Sequence, residues 1–586
     1  MNSRNLFGEL KRRNVYKVAV AYAIVGWLVV QIATQVFPFL EIPNWAIRLI
    51  ILLVAIGFPI ALVIAWAFES TPEGIKRTVV ADTAREHSRG KAWIYIVAVG
   101  ALLSIGLFFL GRYTASRAAA EGQHAPTSAI LQKSIAVLPL LNESGDPGDE
   151  YFSDGLSEEL IAALGQIRDL KVIGRSSSFR FKDRKDEPKT VGEKLGVSTL
   201  LEGTVRKQGD KVRIVAELIN AADGMELWSR TFDRELKDIF AVQAEIAQAV
   251  AASLELTLLG TKDTPATSAS TKSVEAHNAY LQSHFYFARR NLEDYRKAVG
   301  YFNEAIRLDP DYALAYAERS EAWTFIADLS TEQRKEAWAA AKNDAEKAVA
   351  IDPNLAEAHA ALGWVRFFSE WKFAEGLAEL RRAKELAPAN PTANDLLARV
   401  LVYLDQIEEA EKLARQAIEL DPLSYLARNN LARILLVEGK LDEADATARK
   451  AAELQPTGVA GHRWQVVVAV LRGDGETALR EAQLEPNEGY RRFELALAHY
   501  ARGDRAAADA VLSEMIARDR NLLAYQIAEI YACRGETDKA FEWLQISFDN
   551  HDTGTLSLLI DPLMRGLRGD PRYKSMLEKV GLPMSL

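Results

Sequence analysis

The chain has 586 residues, too many for one hydrophobic core, because single domains run to about 100–200 residues. Hydrophobic residues make up 49% and charged residues 26%, close to globular averages, which excludes wholesale disorder and a fibrous repeat. Charge is uneven: residues 1–112 hold 12 Lys and Arg against 6 Asp and Glu, leaving 59 against 74 for the rest. An acidic body repels phosphate backbones, so no nucleic-acid partner is expected.

Three uncharged runs open the chain, at 18–40, 49–68 and 92–110, each with about the 20 residues that cross hydrocarbon as a helix. They predict a three-helix membrane anchor over 18–112 behind a basic cytoplasmic N-terminus, 1–17. The first run is longer than a signal-peptide core and lacks a small-residue cleavage site, which disfavours a cleaved leader. No ionisable residue interrupts the runs, so an ion path has no support. Arg4, Lys11, Arg12 and Arg13, then Lys76, Arg77, Arg85, Arg89 and Lys91, place the flanking segments inside. Everything after Arg112 then lies outside. The expectation is a multi-pass protein of the bacterial inner membrane with a periplasmic body; were one run only a buried hairpin, the body would return to the cytoplasm.

Residues 113–132 are small and polar and read as a linker. A compact α/β unit follows over 133–259. SIAVLPLLN (134–142) reads as a strand and FSDGLSEELIAALGQI (152–167) as a helix, with Leu156, Leu160, Ile161 and Leu164 at helical spacing. LKVIGRSSSFRF (170–181) alternates as a strand, and TVGEKLGV (190–197) is a short helix. STLLEGTVRKQ, DKVRIVAELINA and MELWSRTFD read as three strands turning at Gln208-Gly209-Asp210 and Ala222-Asp223-Gly224. The amphipathic stretch 239–259 closes the unit. The order βαβαβββα predicts one mixed sheet with helices against it. The acidic loop Asp146, Asp149, Glu150 and Asp154 lacks the ligand spacing of a calcium loop and reads as helix capping. Arg175-Ser176-Ser177-Ser178 with Arg180 reads either as an anion grip or as a solvated strand edge.

The blocks IAVLPLLN, DEYFSDGLSEELIAALGQI, GRSSSFRFK and LLEGTVRKQGDKVRIVAELINAADGMELWSRTFDRELKDIFAVQAEIA resemble the TolB-like (FlgO-like) N-terminal domain of bacterial proteins, over roughly residues 133–258. The resemblance implies an α/β domain of an envelope or membrane-linked signalling protein. It commonly stands before tetratricopeptide repeats, and in relatives after a winged-helix or adenylate cyclase module. Neither module precedes the apolar head here, and the resemblance supplies no catalytic residue.

After a linker, 260–273, prolines at 310, 353, 388, 422 and 456 lie 43, 35, 34 and 34 residues apart. Each ends a helical stretch: AIRLDP, AVAIDP, AKELAP, AIELDP, AAELQP. This is the tetratricopeptide pattern, in which a helical pair buries its apolar side only against the next pair. Leu397, Ala398, Leu401, Ala410, Ala414, Ala417 and Pro422 recur one repeat later as Leu431, Ala432, Leu435, Ala444, Ala448, Ala451 and Pro456. About eight helical pairs are expected over 274–550, then a capping segment, 551–586.

First helices of stacked pairs line the concave side, so the phase nominates Asp395, Arg399, Val402, Asn429, Arg433 and Leu436 as a partner-binding groove. Arginine and asparagine there suit a carboxylate or an acidic peptide, against the alternative of pairing within the chain. Trp364, Phe367 and Phe368 read as interhelix core.

Chemistry is sparse. No GxxxxGK[ST] loop, HExxH helix or GxSxG elbow occurs, and the 8 histidines fall in unrelated segments. The single cysteine, Cys533, excludes an intrachain disulfide and reads as a buried thiol. The fold class expected is therefore three transmembrane helices, a small mixed-sheet α/β domain and an all-α solenoid. The function expected is a non-enzymatic scaffold for proteins or peptides with no cofactor and no metal; the alternative is a sensory or signalling component.

Overall fold

A computed structural model describes residues 133–167, 169–182, 186–254, 271–330, 332–456, 458 and 461–583, with short pieces between 22 and 77. The chain forms two compact units, Met1–Gly122 and Gln123–Leu586. In the first, an antiparallel hairpin pairs β1 (Phe68–Thr71) with β2 (Gly74–Arg77), and Tyr22 Oη donates to the Val54 carbonyl at 3.1 Å.

The expected membrane anchor is corrected here. Among the described residues no helix is long and apolar enough to cross a membrane, so the three-span fold class and the multi-pass inner-membrane location do not stand. Hydropathy counts side chains, whereas a crossing needs about 20 continuous helical residues. The described helical residues of the second run lie within 49–61, and at Phe68 the chain is already strand. Most of the first run and the whole third run lie outside the described residues.

The second unit begins with a sheet in the order β5-β3-β6-β7-β8, with β4 also beside β6. β3 (Ser134–Val137) runs parallel to β5 (Lys171–Val172) and to β6 (Thr199–Gln208); β7 (Lys211–Asn220) and β8 (Glu226–Glu235) continue as an antiparallel meander. Pro139, which has no N–H to give a ladder, splits the first predicted strand into β3 and the two-residue β4 (Leu141–Asn142). Alternation sorts the faces: Ile135 and Val137 meet α1 (Glu150–Gly165) and α4 (Ile239–Ser253), while Ala136 meets α3 (Pro188–Leu195) on the opposite side.

RSSSFRF is not a strand. The edge stops at Val172, and the chain turns into α2 (Arg175–Ser178) and a 3-10 turn, because its peptide groups are taken up by the solenoid. The acidic loop separates by role: Asp146 accepts from Gly148 N at 2.7 Å, Asp149 pairs with Lys207 at 2.9 Å and Asp154 with Lys182 at 2.6 Å.

Eight antiparallel helical pairs follow: α5/α6 (Val274–Phe287, Leu292–Leu308), α7/α8 (Ala313–Leu329, Arg334–Ile351), α9/α10 (Ala356–Phe368, Phe373–Leu386) and α11/α12 (Pro391–Tyr403, Ile407–Leu420). The last four are α13/α14 (Tyr425–Val437, Leu441–Leu454), α15/α16 (Arg463–Leu471, Gly475–Ala482), α17/α18 (Glu488–Ala501, Arg505–Asp519) and α19/α20 (Ala524–Cys533, Thr537–Asp549). The repeated alanines are the close contacts: Ala398, Ala410, Ala414, Ala417, Ala432, Ala444, Ala448 and Ala451 are wholly buried. In α9/α10 two glycines replace them, and a Cβ on Gly376 would lie 2.8 Å from the Gly363 carbonyl oxygen. Two 3-10 segments, Thr553–Ser557 and Pro562–Leu567, and α21 (Pro571–Val580) finish the chain, burying Leu556, Met564 and Tyr573.

The α/β domain shares its core with the first helical pairs. Leu156, Leu160 and Val250 belong to one cluster with Ala276, Leu281, Phe302 and Ile326. A Cβ on Gly155 would meet Leu281 at 2.4 Å, so α1 lies directly on α5.

Cys533 is half-buried, and burial pushes its thiol up to about 11, with Asp561 and Glu529 adding to the effect. At neutral pH that leaves about a hundredth of the thiolate, the reactive form, that an ordinary cysteine carries. Alkylation of the folded protein by iodoacetamide at pH 7.5 should run about 100-fold slower than that of an unfolded control; equal rates would contradict this burial.

Candidate functional site

The inner helices α11 and α13 carry the six nominated residues, and the structure divides them. Val402 and Leu436 are wholly buried core side chains, so they do not line an open groove. Leu436 lies under the C-terminal segment: Arg565 donates to the Val437 carbonyl at 3.3 Å, and Ser557, Ile560 and Pro562 border a cavity of about 30 Å³ with Arg433, Leu436, Arg463 and Trp464. By that measure the cavity has room for about two waters. The same segment reaches the third pair, where His551 Nε2 lies 2.9 Å from the Ser369 carbonyl and its ring stacks on Trp371 at 4.0 Å.

Asp395 is buried and accepts two hydrogen bonds from Asn430 Nδ2, at 2.7 and 2.8 Å. Burial raises its pKa, against the opposing pull of Arg399, Asn430 and Arg433. Asn430, one position past the predicted Asn429, is thus the inward partner of Asp395, while Asn429 keeps a buried Oδ1 with no hydrogen bond.

Arg399 lays its guanidinium over Trp364 at 4.3 Å, and Arg433 lies over Tyr403 at 4.6 Å with Nη1 donating to the phenol oxygen at 2.5 Å. The Nε of each arginine is buried without a partner. Burial alone would push the Tyr403 phenol up; the charges of Arg433 and Arg399 and hydrogen bonds from Arg433 and Ser557 outweigh it and lower the pKa. Trp364, read as core, is therefore also a cation platform. Across the interior, half-buried Glu321 on α7 is held up to about 7, first by burial and then by Glu318, against Arg290, His284 and Arg399.

A second charged centre was not legible in the repeat phase. Arg463 donates to both oxygens of Glu529, at 3.0 and 3.2 Å, and lies over Trp464 and Phe493. Glu529 is 1% exposed, and burial drives its pKa far up despite Arg463. Nearby, Tyr525 Oη donates to Asp561 of the C-terminal segment at 3.0 Å. The sequence signal was an acidic residue inside an apolar helix, IAEIY, where the surface-helix pattern gives none.

The domain junction is ionic as well. Glu158 on α1 receives Arg175 Nε at 2.5 Å and faces His284 Nδ1 at 2.9 Å, while the other ring nitrogen of His284 meets Glu318. Burial opposes the imidazolium, but Glu318 and Glu158 overcome it and hold His284 up at about 10. The folded value lies above the unfolded 6.5, so this contribution to stability is complete below pH 6.5 and is lost as pH rises towards 10. The His284 imidazole shifts in an NMR titration should stay those of the charged ring through pH 8; a midpoint near 6.5 would remove the bracket.

Among the described residues no group of three His, Cys, Asp or Glu is placed to hold a metal ion. The geometry defines a class: a stacked array of helical hairpins joined to an α/β domain. The repeats are tetratricopeptide repeats. Family profiles described as Tetratricopeptide repeat match residues 288–312, 391–422 and 413–446. Tetratricopeptide arrays are protein-interaction scaffolds with extended concave surfaces.

Among curated proteins, "Putative adenylate cyclase 3" of Rhizobium meliloti (strain 1021) is 34% identical over 195 residues. The match covers 33% of each protein, so the chain spans about a third of the length of that relative. Solved structures that resemble the chain include pilF of Pseudomonas aeruginosa (20% identity, 36% of this chain and 92% of that one, TM-score 0.29). YrrB, described as a TPR protein with an unusual peptide-binding site, is 22% identical over 36% of this chain and 97% of its own, with a TM-score of 0.24. TM-scores this low carry no argument about function.

Proposed function

We propose that this chain is a non-catalytic scaffold whose solenoid holds protein or peptide partners on its inner face, around Arg399, Asn429 and Arg433. The observation that carries the reading is the pair of half-buried and buried arginines whose Nε donors are unsatisfied among the described residues, although Asp395 lies near enough to attract both. Unpaired buried donors are costly, and an acidic segment of a partner would supply charge-assisted hydrogen bonds to them. Residues 133–259 act as a TolB-like companion domain, with 113–132 and 260–273 as linkers, 274–550 as the repeats and 551–586 as the cap.

The test is co-purification of cross-linked partners with the full chain, with Arg399→Glu and with Lys450→Glu on an exposed helix position. Partners retained by native chain and Lys450→Glu but lost from Arg399→Glu support the reading. Equal recovery on all three overturns the inner face as the site.

The second reading is a signalling component. It is favoured by the identity shared with the cyclase-named relative over 195 residues. Cyclic nucleotide formed from ATP by the purified chain would replace the scaffold reading with an enzymatic one.

A further inference from the structure

The repeats end their second helices on a recurring Asp-Pro. At Asp309 and Asp352 one carboxylate oxygen serves the local turn, accepting from Asp311 N at 3.1 Å and from Asn354 N at 2.9 Å, and the other oxygen of Asp309 accepts from the Thr271 hydroxyl. At Asp421 it does not. Its Oδ1 crosses to the α/β domain, accepting from Ser177 N at 2.8 Å and from the Ser177 hydroxyl. Ser177 Oγ in turn accepts from Leu423 N at 2.7 Å, and Gly174 N donates to the Leu420 carbonyl at 2.8 Å. Arg180 reaches further and donates to the Leu454 carbonyl at the end of α14. The approach is close: a Cβ on Gly174 would stand 2.8 Å from Asp421 Cγ and 3.0 Å from Pro391 Cγ.

The other side of the same domain is fixed on α5, through Gly155 against Leu281 and Glu158 against His284. The domain therefore bridges the first helical pair to the ends of the fourth and fifth. In a repeat array each pair otherwise touches only its neighbours, so curvature is set by small interface rotations that add up and are individually soft. A strut between non-neighbours removes that softness.

We propose that the Asp421 junction is a clasp by which the α/β domain fixes the curvature of the first five helical pairs, and with it the width of the inner face they enclose. Asp421 and Ser177 are both buried, so losing one of these hydrogen bonds while the junction stays closed leaves a polar group unpaired, and the junction opens as a unit. The clasp is then two-state: made with all four hydrogen bonds, or open with the solenoid free to flex. Binding or loss of anything on the α/β domain that disturbs α2 is read at the solenoid as a change in opening.

The test uses the full chain in a Cys533→Ala background with nitroxide labels at Lys297→Cys on α6 and Lys450→Cys on α14, both exposed. Pulsed electron–electron resonance should give one narrow distance for the native junction. Asp421→Ala and Gly174→Val should each broaden that distribution at least twofold, while the helical circular dichroism signal is retained. Should Gly174→Val fail to accumulate, Asp421→Ala and Ser177→Ala, which add no atoms, carry the test. A distribution that stays equally narrow in Asp421→Ala and Ser177→Ala overturns the clasp, whatever the partner-binding results on the inner face.

Discussion

Arg463→Met should destabilise the protein by about 3–5 kcal/mol at pH 8, the usual cost of leaving one member of a buried ion pair alone. Glu529, 1% exposed, loses both hydrogen bonds from Arg463 and must either stay ionised in an apolar helix bundle or take up a proton. Burial already raises its folded pKa above the usual 4.5. A group raised in this way favours the fold below its unfolded pKa and disfavours it as pH climbs through the folded value. Without the arginine that folded value rises further, so the deficit should be small at pH 4 and should widen steadily to pH 8. Urea midpoints at the two pH values measure it, and Glu529→Gln added to Arg463→Met should recover part of the loss. Equal midpoints for native and Arg463→Met at pH 8 would show that the pair contributes nothing.

The second large effect is expected at Gly376→Val. The new Cβ would sit 2.8 Å from the Gly363 carbonyl oxygen and 2.9 Å from Phe367 N. Both are backbone atoms of the facing helix, so no side-chain rotation relieves the clash and α9 must move off α10. Overpacking typically costs about 1–3 kcal/mol, and a clash with backbone belongs at the upper end of that range. Because repeat arrays unfold in pieces, the loss should appear first as faster amide exchange in residues 356–386. Gly300→Ala is the contrast: nothing lies within 4 Å of that site in α6, and a helix-interior alanine should add about 0.5–1 kcal/mol. If both variants exchange like the native chain, the contact at Gly363 is not tight.

The repeats were readable because two local signals coincide. Proline stops a helix by chemistry confined to a few residues, and the alanine register reports a contact with the adjacent helix only. The same register does not sort side chains on the inner helices: Val402 and Leu436 are core, and Asn430 rather than Asn429 meets Asp395. The segment over those helices was not readable either: Arg565 lies 128 residues from Val437, whose carbonyl it meets, and no spacing rule links them. RSSSFRF alternates like a strand yet follows a partner 244 residues away at Asp421. The apolar head carried the opposite error, a strong composition signal read as architecture, and no described helix there has the length a crossing requires.

The distance between Ser177 and Asp421 has a consequence during synthesis. At about 5–20 residues per second, the ribosome delivers Asp421 roughly 12–50 s after Ser177, and Leu281 emerges well before it. Through that interval the nascent α/β domain has found its first neighbour but not its second. Its serine-rich turn stays wet and the emerging hairpins stack without a brace, which leaves early chains exposed to premature tangling that the finished molecule no longer permits.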